Sequence, residues 1–145
     1  MKKYNIAVVG ATGNVGREIL NILDFRKFPI NKIFALASPK SEGTKINYGN
    51  DKEIVVSDLE KFNFSDTDIV LSSAGSSISK KFSDIAVKEG AVIIDNTSHF
   101  RMEKNVPLIV PEVNPEDLVN YTKKKIISNP NCSTIQMVMA LKPIH

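Results

Sequence analysis

The sequence has one cysteine and two histidines among its 145 residues. A single cysteine excludes an internal disulfide framework and favours a reducing compartment, so we expect a cytoplasmic protein. The apolar run Ile6–Val9 is too short to form the core of a secretory signal. Two histidines and one cysteine, tens of residues apart, match no ligand pattern, so no metal site is expected.

Long apolar runs and a strong charge bias are also missing. No stretch approaches the roughly 18 apolar residues that a membrane-spanning helix needs, so no membrane partner is expected. The net charge is +3 and the lysines are scattered, with the densest run at Lys123–Lys125 interpreted as a solvated helix end. No nucleic-acid partner is therefore expected. With 42% hydrophobic and 24% charged residues, the composition is that of one globular domain.

Residues 8–16 read VVGATGNVG and place three glycines at three-residue intervals directly after an apolar run. An apolar strand before Gly10 and a helical pattern after Gly16 predict a strand that turns tightly into a helix. The first amides of a helix have no partner within it, so the pyrophosphate of a dinucleotide can bind there. A tight turn without a ligand is the alternative, because the spacing is GxxGxxG and not GxGxxG.

Strands and helices alternate along the whole chain. Several of the strands are continuously apolar, which is typical of a mostly parallel sheet covered on both faces. We therefore predict an α/β fold, a Rossmann-like doubly wound sheet, with residues 1–145 forming one dinucleotide-binding domain. The predicted strands are Asn5–Val9, Lys32–Ala37, Glu53–Val56, Asp68–Ser72, Ala91–Asp95, Pro107–Val113 and Lys125–Ser128.

The loop after the second predicted strand carries hydroxyls and a cation where an acid would be expected for NAD. Ligands of such sheets bind beyond the carboxyl ends of the strands, and an acid at this loop would bond the ribose hydroxyls of NAD. Ser38, Lys40 and Ser41 suit a 2′-phosphate instead, which favours NADP. An ordinary polar loop with a surface lysine is the alternative.

Cys132 lies between a predicted strand and a predicted helix, in the segment NPNCSTIQ. A thiol at a helix N-terminus is favoured as the reactive thiolate by the helix dipole. Its place at the ligand edge of the sheet, in a turn of asparagines, makes it a candidate nucleophile. A buried, inert cysteine is the alternative.

Six segments in order resemble one family, from about Ile6 to His145. The chain resembles the amino-terminal part of aspartate-semialdehyde dehydrogenase. This resemblance implies reduction of L-aspartyl 4-phosphate by NADPH to L-aspartate 4-semialdehyde with release of inorganic phosphate, on the route to diaminopimelate, lysine, threonine and methionine. The segments are GATGNVG, ALASPKSEG, SSAGSSISKKF, IIDNTSHFRM, VPLIVPEVN and NPNCSTIQ.

The resemblance also implies roles for individual residues. Cys132 would be the nucleophile that forms a thioacyl intermediate, and Arg101 and Asn131 would bind the substrate phosphate. Lys40 stands where the family often has arginine, so selectivity for NADP is expected to be weaker, and Ser76 replaces the second glycine of a common SAGGS turn. The expected NADP(H)-binding residues are Gly10, Thr12, Gly13, Asn14 and Val15 at the pyrophosphate, Ser38, Lys40 and Ser41 at the 2′-phosphate, and Ser73, Ala74 and Gly75 at the adenosine.

Enzymes of this family continue into a second, catalytic and dimerising domain with an acid/base histidine, a glutamine and an arginine. Neither His99 nor His145 matches that histidine's motif. We therefore expect this chain to be part of a longer, homodimeric enzyme and to be inactive by itself. An N-acetylglutamyl-phosphate reductase and a non-catalytic, NADP-binding redox-sensing module are the alternatives.

Overall fold

The computed structural model describes residues 2–145, which form seven strands, three α-helices and four 3₁₀ segments. The strands are β1 (Tyr4–Val9), β2 (Ile30–Ala37), β3 (Lys45–Tyr48), β4 (Lys52–Asp58), β5 (Ile69–Ser72), β6 (Val92–Asp95) and β7 (Ile126–Ser128). The helices are α1 (Asn14–Phe25), α2 (Ser76–Lys88) and α3 (Cys132–Leu141). The 3₁₀ segments are Pro39–Ser41, Leu59–Lys61, Pro115–Lys123 and Lys142–Ile144.

The seven strands form one sheet in the order β3-β4-β2-β1-β5-β6-β7. All neighbouring pairs are parallel except β3 and β4, which are antiparallel. The chain moves outward from β1 to one side through β2 and β4 and to the other side through β5, β6 and β7. This reversal of strand order at β1 confirms the predicted doubly wound α/β fold, and it places a topological switch point beside the glycine turn.

Both faces of the sheet are buried, as the continuously apolar strands predict. Ile6 and Val8 of β1 pack on one face in a cluster with Leu20 of α1. The alternating residues Ala7 and Val9 pack on the other face, in the cluster to which α2 contributes. Because successive side chains of a strand point to opposite faces, β1 anchors both layers of the core.

The prediction of a strand over Pro107–Val113 is wrong. The segment lies beside β7 but forms only one bridge, between Leu108 and Ser128. Ser128 N donates to Pro107 O and Ile109 N donates to Ser128 O, both at 2.9 Å. Pro107 and Pro111 lack an N–H, and the chain turns where Val113 N donates to Val110 O, so no longer ladder forms.

Residues Pro115–Lys123 form a 3₁₀ helix that directly follows Asn114. Asn114 does not cap it with its side chain in the described structure. Its Oδ1 accepts from Val110 N at 2.9 Å, and its Nδ2 donates to Leu108 O at 3.0 Å. The asparagine therefore closes the preceding turn and leaves the helix end uncapped.

Helix α3 stands outside the core, since none of its residues is buried. Met137, Met139 and Leu141 are each more than two-fifths exposed. Ile135 and Val138 of the same helix are half-buried. None of the helices in residues 2–145 combines the length and the apolar character needed to cross a membrane.

Candidate cofactor and active site

In the turn between β1 and α1, the amides of Gly10, Ala11 and Gly13 donate to backbone carbonyls, and the first amides of α1, at Asn14 and Val15, are left open to a ligand. Gly10 has φ of +83°, and a Cβ there would lie 3.0 Å from Ala74 N. Gly13 is the N-cap of α1, and in the described chain no side chain caps this helix and no acidic residue lies in its first turn. Unpaired amides and the positive end of the helix dipole therefore meet at one point, which is a favourable place for an anion.

The loop between β5 and α2 is tied to the glycine turn. Ser73 N and Ser73 Oγ donate to Val9 O at 2.9 and 3.2 Å. Gly75 then takes φ of +96° as the N-cap of α2. The end of β1 thus holds both small-residue loops together, so that two helix N-termini open onto the same edge of the sheet.

A cleft of about 790 Å³ opens between the glycine turn and the loops that follow β2, β4 and β5. Several of the predicted cofactor residues line this cleft: Gly10, Thr12, Gly13, Ser38, Ser73 and Ala74. The others do not line it and occupy neighbouring positions: Asn14 and Val15 at the start of α1, Lys40 and Ser41 in the 3₁₀ turn after β2, and Gly75 before α2. Of these, Ser41 is half-buried and the rest are exposed.

The loop after β4, which was not among the predicted site residues, forms an apolar wall of the cleft. Leu59, Phe62 and Phe64 line it, opposite Ile78 of α2. The rings of Phe62 and Phe64 lie 5.0 Å apart, nearly perpendicular. Such a wall can pack against a planar ring. The rule that ligands gather at the carboxyl ends of strands was a signal for this loop, because β4 ends at the same edge.

Lys61 is a cation of the cleft that the sequence analysis did not select. Its Nζ lies 3.0 Å from Glu42 Oε2 and 3.4 Å from Asp58 Oδ2. The hydrogen bond to Glu42, with a further one to Asp58, raises the pKa of Lys61. The lysine therefore stays protonated at neutral pH and links the loop after β2 to the loop after β4.

Cys132 is the first residue of α3 and its side chain is exposed. Asn131 is the N-cap, with its Oδ1 accepting from Thr134 N at 2.8 Å. The predicted position of the thiol at a helix N-terminus on the ligand edge is therefore observed. Amides of this first turn can stabilise negative charge that develops on an atom bound to the sulfur.

Arg101 is fastened to the turn that carries Cys132. Its Nε donates to Asn129 O at 2.9 Å, and its Nη2 donates to Asn96 O at 3.1 Å. Both bonds use one edge of the guanidinium, and no hydrogen bond of Nη1 occurs among residues 2–145. The adjacent edge, formed by Nη1 and the second hydrogen of Nη2, can thus bind an anion through two donors.

Within the described part of the chain, no group of three histidine, cysteine, aspartate or glutamate residues is arranged to hold a metal ion. His99 packs its ring edge-on against Phe100, with 4.5 Å between the centroids. The chemistry that these residues can perform is therefore that of a thiol, an arginine and helix amides.

The doubly wound sheet and the glycine turn at its carboxyl edge define a domain of the dinucleotide-binding class. Residues 5–121 match the family model described as "Semialdehyde dehydrogenase, NAD binding domain". The chain therefore belongs to the semialdehyde dehydrogenase family of NAD-binding domains.

Individual relatives agree with this family. The aspartate-semialdehyde dehydrogenase of Campylobacter jejuni is 54% identical over 99% of this chain, and the alignment covers 42% of that protein. The crystal structure of aspartate semialdehyde dehydrogenase II from Vibrio cholerae, complexed with ASA, has a TM-score of 0.94 at 49% identity, over 99% of this chain and 46% of that one. The chain thus spans less than half the length of these relatives.

A more distant structure is that of aspartate semialdehyde dehydrogenase with NADP from Candida albicans. It has a TM-score of 0.79 at 30% identity and covers 97% of this chain and 46% of that chain. The fold of this domain is therefore kept in relatives with much lower sequence identity.

Proposed function

We propose that this chain is the cofactor-binding and nucleophile-bearing part of an aspartate-semialdehyde dehydrogenase, which reduces L-aspartyl 4-phosphate with NADPH. The observation that carries the proposal is the exposed Cys132 at the N-terminus of α3, in a turn to which Arg101 is bonded. The glycine turn opens onto the same edge of the sheet. A nucleophile, an anion site and a dinucleotide cradle together fit reduction of an acyl phosphate.

In the proposed reaction, the sulfur of Cys132 attacks the acyl carbon. The C–S bond forms as the C–O bond to phosphate breaks, which gives a thioester on Cys132 and free inorganic phosphate. Arg101, through its open edge, and Asn131 would bind the phosphate group before and after this step. Amides at the start of α3 would stabilise the carbonyl oxygen as it gains charge.

The residues of the cleft fit a dinucleotide. Gly13 has no side chain to exclude the pyrophosphate from the amides at the start of α1, and Gly10, where a Cβ would lie 3.0 Å from Ala74 N, lets the turn approach the loop after β5. The apolar wall of Leu59, Phe62 and Phe64, with Ile78 opposite, suits the adenine ring. When bound, NADPH supplies the hydride that converts the thioester to the aldehyde and returns Cys132 as a thiolate.

The loop Ser38–Ser41 is expected to make this chain bind NADP⁺ more tightly than NAD⁺. A charged hydrogen bond to the 2′-phosphate is worth about 1.5 to 3 kcal/mol, or roughly one to two powers of ten in affinity. Lys40→Glu should erase or reverse that preference, because it replaces the cation with a repelling charge. Titration calorimetry of both nucleotides measures the effect.

Lys88→Glu is the matched control for Lys40→Glu. It makes the same change of charge at the exposed last residue of α2, outside the lining of the cleft. It should leave the ratio of the two affinities unchanged. Equal affinities of the original chain for NADP⁺ and NAD⁺ would remove the argument for this loop.

Two alternative functions differ from the proposed one in which acyl phosphate, if any, acylates Cys132. An N-acetylglutamyl-phosphate reductase would use the same thiol on a different acyl phosphate, and the names of the relatives support aspartyl phosphate. A redox-sensing module would bind the dinucleotide and accept neither acyl group. Mass spectrometry of the chain after incubation with each acyl phosphate distinguishes the three.

Steady turnover is expected to need residues beyond 1–145. It is also expected to need the homodimer that the family resemblance implies. Proton transfer by a placed acid or base contributes about 10² to 10⁴ in rate, and the resemblance assigns that role to a histidine other than His99 or His145. The chain should therefore oxidise the semialdehyde with phosphate and NADP⁺ at less than about a tenth of the rate of the Campylobacter jejuni enzyme. A comparable rate would show that the catalytic set is complete here.

A further inference from the structure

A fully buried carboxyl group lies directly behind the site, at the end of β6. Asp95 has no exposed surface. Its Oδ1 accepts from Ser79 Oγ at 2.9 Å and from Thr97 N at 3.2 Å, and its Oδ2 accepts from Thr97 Oγ1 at 2.8 Å. Among residues 2–145 no lysine, arginine or histidine forms an ion pair with it. Hydroxyl and amide donors therefore satisfy this group in place of a cation.

These hydrogen bonds connect four parts of the fold. Ser79 lies in the second turn of α2, and its Oγ is 3.1 Å from the Oγ of Ser72 at the end of β5. Thr97 is the second residue of the loop that leads from β6 to Arg101, and its Oγ1 also accepts from His99 N at 3.2 Å. A buried polar group that loses its hydrogen-bond partner destabilises the fold. Movement of the loop would break these hydrogen bonds, so the loop is held in one conformation.

The loop after β6 and the turn before Cys132 together hold Arg101. Asn129 N donates to Asp95 O at 2.8 Å, which fastens the turn before Cys132 to the end of β6. The guanidinium of Arg101 spans Asn96 O and Asn129 O. Asn96 lies between Asp95 and Thr97, so the position of its carbonyl depends on the buried cluster. The direction in which the open edge of Arg101 points is therefore set from inside the fold.

We propose that Asp95 and Thr97 are positioning residues that aim Arg101 at an anion beside Cys132. The proposal rests on the proposed role of Arg101 in binding the substrate phosphate. The two residues reach the substrate only through the backbone of residues 95–97 and the guanidinium. Directional hydrogen bonds fix the loop in a way that apolar packing of the same volume would not, because packing is compatible with small shifts of the backbone.

Alkylation of Cys132 measures whether the guanidinium of Arg101 is oriented towards an anion at the sulfur. Iodoacetate and iodoacetamide both react by attack of the sulfur on carbon with loss of iodide, but only iodoacetate is an anion. A guanidinium beside the sulfur attracts the anion, and in a partly solvated site this attraction is expected to be worth about three- to tenfold in rate. The ratio of the two rate constants, divided by the ratio for a cysteine-containing peptide, isolates the cation from general changes in thiol reactivity.

Thr97→Val and Thr97→Ser form the decisive pair. Valine keeps the volume and removes the donor to Asp95 and the acceptor for His99 N, so the normalised ratio should fall at least threefold, towards that of Arg101→Met. Serine keeps the hydroxyl and should restore the original ratio. Ser83→Ala is the control, because Ser83 is a fully buried serine one turn further along α2 with no hydrogen-bond partner in the described structure. It should leave the ratio unchanged.

All rates are measured well below the unfolding midpoint of each variant. Where Thr97→Val does not fold, Ser79→Ala, which removes the other hydroxyl donor to Asp95, takes its place with the same expected loss. If Arg101→Met leaves the ratio unchanged, the proposed anion site itself is wrong. If Arg101→Met lowers the ratio but Thr97→Val and Ser79→Ala keep it, Arg101 acts without the buried cluster and the positioning role is refuted.

Discussion

Replacing Cys132 with serine is expected to abolish acyl transfer from L-aspartyl 4-phosphate to this chain. The original chain should release one equivalent of phosphate and gain the mass of one aspartyl group on Cys132, because this step needs only the thiol and the anion site. A serine hydroxyl with no adjacent base is a far weaker nucleophile at neutral pH. The loss should be at least about 10³-fold, in line with the effect of removing a catalytic nucleophile.

The same variant should keep its affinity for NADP⁺ within about twofold, since Cys132 does not line the cleft between the glycine turn and the loops after β2, β4 and β5. Ser133→Ala provides the matched control, because Ser133 is the next residue of α3 and is also exposed. It should be acylated like the original chain. Acylation of the Cys132→Ser variant at an undiminished rate would mean that another residue is the nucleophile.

The position of Cys132 was open to prediction because it depends on short-range features of the sequence. A strand, a proline-restricted turn and an asparagine before a helical pattern identify a helix start without knowledge of the rest of the fold. The glycine turn was predictable in the same way, through the apolar run before Gly10 and the helical pattern after Gly16. Both sites combine a strand end with a helix N-terminus.

Other features depend on residues far apart in the chain. The strand β3 was missed because Lys45–Tyr48 is short and only Ile46 in it is buried. Its hairpin with β4 uses Gly49 and Asp51, both at φ of +57°. The opposite error occurred at Pro107–Val113, where an apolar pattern lies beside β7 but the prolines prevent a ladder. Apolar patterns in the sequence therefore do not predict the edge strands correctly, because backbone hydrogen bonds determine which segments join the edges of the sheet.

The hydrogen bonds that hold Arg101 could not be predicted from the sequence either. The residue was selected by family resemblance, but its bond to Asn129 O joins it to a segment 28 residues away, and only its bond to Asn96 O is local. Asp95 and Ser79 are separated by 16 positions, and Asp95 was not selected at all. An aspartate at the end of an apolar strand gives no sign in the sequence that it will be fully buried, since that depends on where α2 crosses the sheet.

Gly16→Ala is expected to lower the stability of the fold substantially. A Cβ at Gly16 would lie 2.2 Å from Gly10 O and 2.7 Å from Gly10 C, both backbone atoms that cannot rotate away. Alanine favours a helix over glycine by about 1 kcal/mol, but overpacking against a fixed neighbour typically costs about 1 to 3 kcal/mol or more. Because the obstacle is backbone, we expect a net loss of about 2 kcal/mol, which lowers Tm by about 4 to 8 °C.

Gly13→Ala is the control that separates folding from binding in the same turn. A Cβ at Gly13 would approach Gly10 O only to 3.4 Å, and the backbone there has φ of −76°, which alanine adopts readily. Its stability should fall by less than about 1 kcal/mol, the cost of a poorer N-cap. Its affinity for NADP⁺ should nevertheless drop at least tenfold, because the methyl group enters the space proposed for the pyrophosphate. Thermal unfolding and nucleotide titration of both variants give the comparison. Unchanged Tm in Gly16→Ala would show that α1 can move away from the turn, and unchanged affinity in Gly13→Ala would place the pyrophosphate elsewhere.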